Sequence, residues 1–182
     1  IHTFEGTDGG FPEGIMQASD GAFYGSTEYE GANGDGGTLF LLNSTGFTTL
    51  YNFCSQSNCA DGSGPSVLTQ ATDGIFYGTT INGGNLNACF GGCGTLFSLN
   101  AGLHAFVEAN PDFGKAGRKV ILLGTNLTGT SGVSFHGTPA TFQIVSKSEV
   151  ITTVPAGATS GQIKVTTPRG TLTSNVEFRV TH

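Results

Sequence analysis

Three carboxylates crowd one short stretch: Glu28, Glu30 and Asp35 in "EYEGANGDGG". Two acids held about 5 to 9 Å apart can hydrolyse a glycosidic bond. Three acids in a Gly- and Asn-rich loop can instead hold calcium, which takes carboxylate, amide and backbone oxygens. A third reading is a solvated acidic loop with no ligand. A similar phrase further along carries Ile81 and Gly83 where Glu28 and Glu30 stand. The acidity therefore belongs to one place in the chain.

Four cysteines form the second cluster: Cys54, Cys59, Cys89 and Cys93, spaced C-x4-C and C-x3-C. Each pair sits where the chain carries four extra residues relative to its own earlier phrase. An insertion that arrives with two cysteines reads as a loop stapled to itself. The expected bonds are Cys54–Cys59 and Cys89–Cys93, although sequence alone allows three pairings. Disulfides would place the protein in an oxidising compartment. The rival is a four-cysteine zinc site, whose ligands are more often spaced C-x2-C.

Other chemistry is poorly supplied. His2, His104, His136 and His182 are scattered, with no H-x-H or H-E-x-x-H. No G-x-S-x-G nucleophile elbow occurs. The glycine runs "GANGDGG" and "FGGCG" lack the lysine and following helix of a phosphate loop. Tyr24, Tyr29, Tyr51 and Tyr77 could stack on sugar rings if exposed, and Tyr29 beside the acids is the best placed. Asn43-Ser44-Thr45 and Asn126-Leu127-Thr128 are formal glycosylation sequons. No cofactor other than calcium is implied.

Charge divides the chain. Nine acids and no Lys or Arg precede residue 108, giving −9; seven cations against four acids follow, giving +3. An acidic, lysine-free surface repels phosphate, so nucleic acid is excluded as the expected partner. No run of about 18 apolar residues exists, so no membrane span is expected. The chain opens at Ile1 without a charged or apolar leader segment, so any signal peptide is expected to have been removed.

The elements that must position these residues come as repeats. "PEGIMQASDGAFYGSTEYEGANGDGGTLFLLN" (Pro12 to Asn43) aligns with "PSVLTQATDGIFYGTTINGGNLNACFGGCGTLFSLN" (Pro65 to Asn100). Upstream, "IHTFEGTDG" aligns with "YNFCSQSNCADG" once four residues are inserted. The period is about 50 residues, giving repeats near 1–50 and 51–104. Asp20-Gly21 and Asp73-Gly74 are hairpin turns between extended runs. "GTLFLLN" and "FTTLYNF" supply a third and fourth strand, and four strands per unit is the pattern of a propeller blade. By alternation Phe23 and Phe76 are expected to face a core, with Gly25 and Gly78 permitting close approach.

The pattern "DG-x-FYG-[ST]-T … GTLF-x-L" resembles the Gloeo-Verruco tandem repeat of exported bacterial proteins. That resemblance implies an extracellular or cell-surface location and carries no activity. Two blades cannot close a propeller. The chain is then the tail of a longer protein, or it completes itself with other copies.

From about residue 105 the pattern becomes even, short, alternating strands. Candidates are Lys119–Leu123, Gly132–His136, Thr141–Val145, Glu149–Val154, Gln162–Thr166 and Asn175–Val180. In the last, Val176, Phe178 and Val180 are expected to face inward. Such spacing argues for an immunoglobulin-like sandwich over 105–182. "GTNLTG", "VSFHGTPA", "VPAGATSGQIKV" and "SNVEFRV" resemble the IPT/TIG domain. That resemblance implies an extracellular spacer or accessory module.

The whole is read as an all-β chain: two propeller-blade-like repeats over 1–104, then the sandwich. The expected function is non-catalytic, structural or adhesive, with self-assembly through exposed sheet edges. The alternatives are a polysaccharide-binding module, a fragment of a larger secreted propeller, and, last, a glycosidase-like enzyme using the acids of "EYEGANGD".

Overall fold

The structure, a computed structural model, describes residues 1–181; His182 lies outside the described residues. The protein is all-β, with one short 3₁₀ turn at Ser57–Cys59. The chain folds into two compact units, Ile1–Ala71 with Ile75–Ala101, and Thr72–Gly74 with Gly102–His182.

Unit 1 begins with β1 (Gly10–Gln17), β2 (Phe23–Tyr29), β3 (Thr38–Asn43) and β4 (Gly46–Asn52), an antiparallel meander in that order. The first hairpin closes at Asp20-Gly21: Gly21 N–H donates to Ala18 O, and Gly21 takes φ +82°. Asp20 Oδ1 then accepts from the Ala22 N–H at 3.1 Å, an Asx turn. Between β3 and β4, Asn43 Oδ1 accepts from both the N–H and the hydroxyl of Thr45. The first sequon is thus an exposed turn.

The second repeat comprises β5 (Ser63–Pro65), β6 (Thr69–Gln70), β7 (Phe76–Asn82) and β8 (Leu96–Leu99). Pro65 pairs with Thr80 and Gln70 with Phe76, as Pro12 pairs with Thr27 and Gln17 with Phe23. β5 and β6 are therefore a broken copy of β1. A fourth strand was expected here and is not formed. The residues aligned with β4 run on into the strand Glu108–Asn110 of the next unit, so β8 pairs with β7 alone among the described residues.

Unit 2 continues with β9 (Glu108–Asn110), β10 (Phe113–Gly114), β11 (Lys119–Leu123), β12 (Gly132–Phe135), β13 (Thr138–Ala140), β14 (Phe142–Ser146), β15 (Glu149–Thr153), β16 (Ile163–Thr167), β17 (Gly170–Thr173) and β18 (Arg179–Val180). One sheet has the order β14-β15-β11-β9, the other β13-β12-β16-β17, and β10 pairs with β18. The strands alternate. Val120, Leu122 and Val150 of the first sheet and Val133, Phe135, Ile163 and Val165 of the second turn inward into one core. Phe178 joins it edge-on to Phe135 at 5.0 Å. Two antiparallel sheets around an alternating apolar core make an immunoglobulin-like sandwich. The last segment departs from expectation. Only Arg179–Val180 is strand, and Val176 is exposed while Phe178 is buried. Ser174 Oγ donates to Val176 O, and the chain turns there instead of continuing a ladder.

Candidate interaction surface

The repeated phrase "FYG" has a packing cause. A Cβ on Gly78 would lie 2.5 Å from Cζ of Phe97, across the β7–β8 pair. A Cβ on Gly25 would meet the ring of its counterpart Phe40 in the same way. Neither glycine has a positive φ. Each makes room for an aromatic ring lying flat on the strand.

A second duplicated device lies at the start of each repeat. Thr27 and Thr38 hydroxyls meet at 2.9 Å, and Thr38 Oγ1 donates to Asp8 O. Thr80 and Thr95 meet at 3.0 Å, and Thr95 Oγ1 donates to Asp61 O. A Cβ on Gly62 would fall 2.5 Å from Thr80 Oγ1, so glycine admits the hydroxyl pair. Asp61 accepts from Tyr51 Oη (2.8 Å), Ser55 Oγ (2.8 Å) and the Ser55 N–H (3.0 Å). Burial opposes its charge, but these donors outweigh burial and hold the Asp61 carboxyl below the usual carboxylate range. Asp8 is held low likewise: the Glu5 N–H and His2 Nε2 (2.6 Å) overcome a desolvation that acts the other way. The signal "DG-x … T … GT" recurs in the sequence, yet sequence reading assigned it no role.

Within unit 1 the first sheet lies on the second. Tyr24 packs at a tilt against Phe76 with centroids 4.3 Å apart, and Ser26 Oγ donates to Ser66 O. Ser19 and Gln70 exchange two hydrogen bonds, the Ser19 N–H to Gln70 Oε1 and Gln70 Nε2 to Ser19 Oγ. The expectation that Phe23 and Phe76 both face a core therefore fails at one of them. Phe76 is fully buried, but Phe23 is 40% exposed and its neighbour Tyr24 is buried. Stacking two like sheets in sequence sets the Tyr face of the first on the Phe face of the second. The Phe face of the first is left outward.

Two apolar hollows follow from this stacking. One, of about 400 Å³, runs beside β8 and is lined by Leu39, Tyr51, Phe53, Phe97 and Leu99 among others. The other, of about 510 Å³, lies on the outward face of the first sheet, lined by His2, Phe4, Ile15, Phe40, Leu42 and Phe47. His2 stacks on Phe47 at 3.7 Å, and Phe4 stands edge-on to Phe40 and Phe47.

The sequence-derived site residues fall as follows. Glu30 adopts φ 62°, and its carboxylate lies over the bare backbone of Gly6 and Gly10. Glu28 instead lies beside the Tyr29 hydroxyl, and its carboxylate pushes that phenol up. Asp35 stands exposed in the turn beyond. Among the described residues no three His, Cys, Asp or Glu side chains gather as a metal-binding group. Tyr29 is exposed, edge-on to exposed Phe11 at 5.6 Å. The cysteines pair as Cys54–Cys59 and Cys89–Cys93. In unit 2, sequence reading missed a polar cleft of about 470 Å³ lined by His136, Lys164 and Glu177, where His136 Nδ1 meets Thr159 Oγ1 at 2.8 Å.

The two-sheet sandwich of unit 2 has a counterpart among known families. Residues 106–180 match the IPT/TIG domain family. The matched residues lie wholly within the second unit. Among solved structures, an auxiliary nutrient binding protein from Bacteroides ovatus is similar over 46% of this chain, at 20% identity and a TM-score of 0.39. That similarity spans 22% of the other protein's length. A search of curated proteins finds no match. No helix among the described residues is long and apolar enough to cross a membrane.

Proposed function

We propose that this chain is a non-catalytic extracellular structural module that associates with other copies of itself. The observation that carries the reading is the unfinished second sheet. β3 is covered by β4, whereas its counterpart β8 has one paired neighbour among the described residues and a 400 Å³ apolar hollow beside it. An exposed strand edge with apolar side chains invites another chain. The IPT/TIG-like sandwich that follows in the chain supports a spacer role, and the two disulfides fit export to an oxidising compartment. Light scattering on the purified 18.6 kDa chain tests the reading. A mass that rises with concentration supports it, and a constant monomer mass at high concentration refutes it.

A second reading, polysaccharide binding, is favoured by one observation: the exposed Phe11–Tyr29 pair flanked by Glu28. Exposed aromatics can stack on sugar faces, and a carboxylate can accept from their hydroxyls. Retention on insoluble glycans that falls when Tyr29 becomes Ala would support it. Retention unchanged by Tyr29→Ala, or absent in the parent chain, would dismiss it.

A further inference from the structure

The two hollows of unit 1 occupy the same place in the two repeats, and among the described residues only the one beside β8 has a second sheet of unit 1 across from it. By the repeat alignment Tyr51, Phe53, Phe97 and Leu99 correspond to His2, Phe4, Phe40 and Leu42. The first four line the hollow beside β8, and the second four line the hollow on the outward face of the first sheet. The ring contacts agree, since Phe53 stands edge-on to Phe97 at 5.0 Å and Phe4 edge-on to Phe40 at 5.4 Å. In the second repeat the lining also includes Leu39, the cross-strand partner of Tyr51 in the first sheet, and Leu39 is 2% exposed. The residue that corresponds to Leu39 is Leu96, and it is 77% exposed. Leu96 also borders the hollow beside β8, but Leu96 and Phe97 point to opposite faces of that strand, so the exposed Leu96 side chain stands on the outer face of the second sheet.

Unit 1 therefore carries a knob at one end of its stack and the matching hole at the other. We infer that Leu96 of one copy enters the His2–Phe4–Phe40–Leu42 hollow of a second copy, repeating the contact that Leu39 makes within the chain. The occupant is a second copy because the contact continues an interface the molecule already has, with the same residue types on both sides. The contact is heterologous: knob and hole lie on different surfaces, so each copy keeps one of each. Such contacts build rings when the rotation closes and open stacks when it does not. This inference rests on the self-association proposed above and adds a sheet-face contact to the β8 edge.

The test uses the intact chain, whose native cysteines are all paired among the described residues. Leu96→Asp and Ile15→Asp change exposed side chains on different repeats, so both variants should fold and keep the parent circular dichroism. Burying either charge in an apolar contact should weaken association at least about tenfold. An edge contact at β8 without the sheet face would be disturbed by Leu96→Asp only. The deciding arm mixes a Leu96→Cys chain with an Ile15→Cys chain under oxidation. Face stacking yields a 96–15 linked heterodimer in excess of either homodimer. Association of the parent chain without that heterodimer, or with Ile15→Asp as strong as the parent, overturns the inference and leaves edge pairing. A parent chain that stays monomeric overturns both this inference and the self-association it rests on.

Discussion

Gly78→Ala tests why the "FYG" phrase occurs twice. The new Cβ would sit 2.5 Å from Cζ of Phe97 and 3.1 and 3.2 Å from its two Cε atoms. Carbon pairs rest at about 3.5–4.0 Å, so the ring must retreat by roughly 1 Å within a packed face. Overpacking of this kind costs about 1–3 kcal/mol. The lost flexibility of the unfolded chain returns about 0.4–1 kcal/mol, because Gly78 does not need a positive φ. The net expectation is a loss of about 1–2 kcal/mol. All four tyrosines lie in unit 1 and the chain has no Trp, so tyrosine fluorescence during urea unfolding follows that unit alone. Phe97→Leu removes the clashing Cζ. In the double variant the alanine should cost less than it does alone, a coupling of about 1 kcal/mol. An alanine variant within about 0.5 kcal/mol of the parent, with no coupling to Phe97→Leu, would refute the packing explanation.

Three further predictions follow from the same geometry. The Asp61 carboxyl is held low in the fold, so its contribution is full above the unfolded value near 3.8 and disappears as pH falls through the lower folded value. Asp61→Asn should therefore lower stability at pH 7 and flatten the acid limb of the urea midpoint; an unchanged acid limb contradicts the network. A thiol count on the denatured, unreduced chain should read zero, and Cys89→Ser with Cys93→Ser should cost no more than about 2 kcal/mol, since the loop closed is short. Four titratable thiols would return the zinc reading to favour. Phe178→Ala should destabilise the sandwich by about 3–5 kcal/mol, as the ring is buried against Phe135. A loss below about 1 kcal/mol, read by far-UV circular dichroism, would contradict its place in the core.

The strand pattern was legible where turn chemistry and alternation agreed. Asp20-Gly21 marked a hairpin because few other pairs adopt that turn, and Lys119–Leu123 alternated because one face is buried. The disulfides were legible because each insertion brought both of its own cysteines. The buried face of each repeat was not legible. Phe23 and Phe76 occupy identical phrases, yet Tyr24 is the buried residue of the first. Two like sheets stacked in sequence must bury opposite faces, and no local signal reports which neighbour a sheet has. The fate of the strand after β8 was equally hidden. Residues 103–109 align with β4, but their apolar positions also suit the first strand of a sandwich, and Val107 and Ala109 join that core instead. The Asp–Thr networks left a trace in both repeats. Their meaning depends on pairs 11 to 34 residues apart, such as Thr27 with Thr38 and Asp61 with Thr95, which only the fold brings together.

Self-association is the central claim, and sedimentation velocity from micromolar to millimolar chain tests it most directly. The account predicts a weight-average sedimentation coefficient that climbs with concentration and drops back in Ile15→Asp. A single species of monomer mass across the whole range would contradict it.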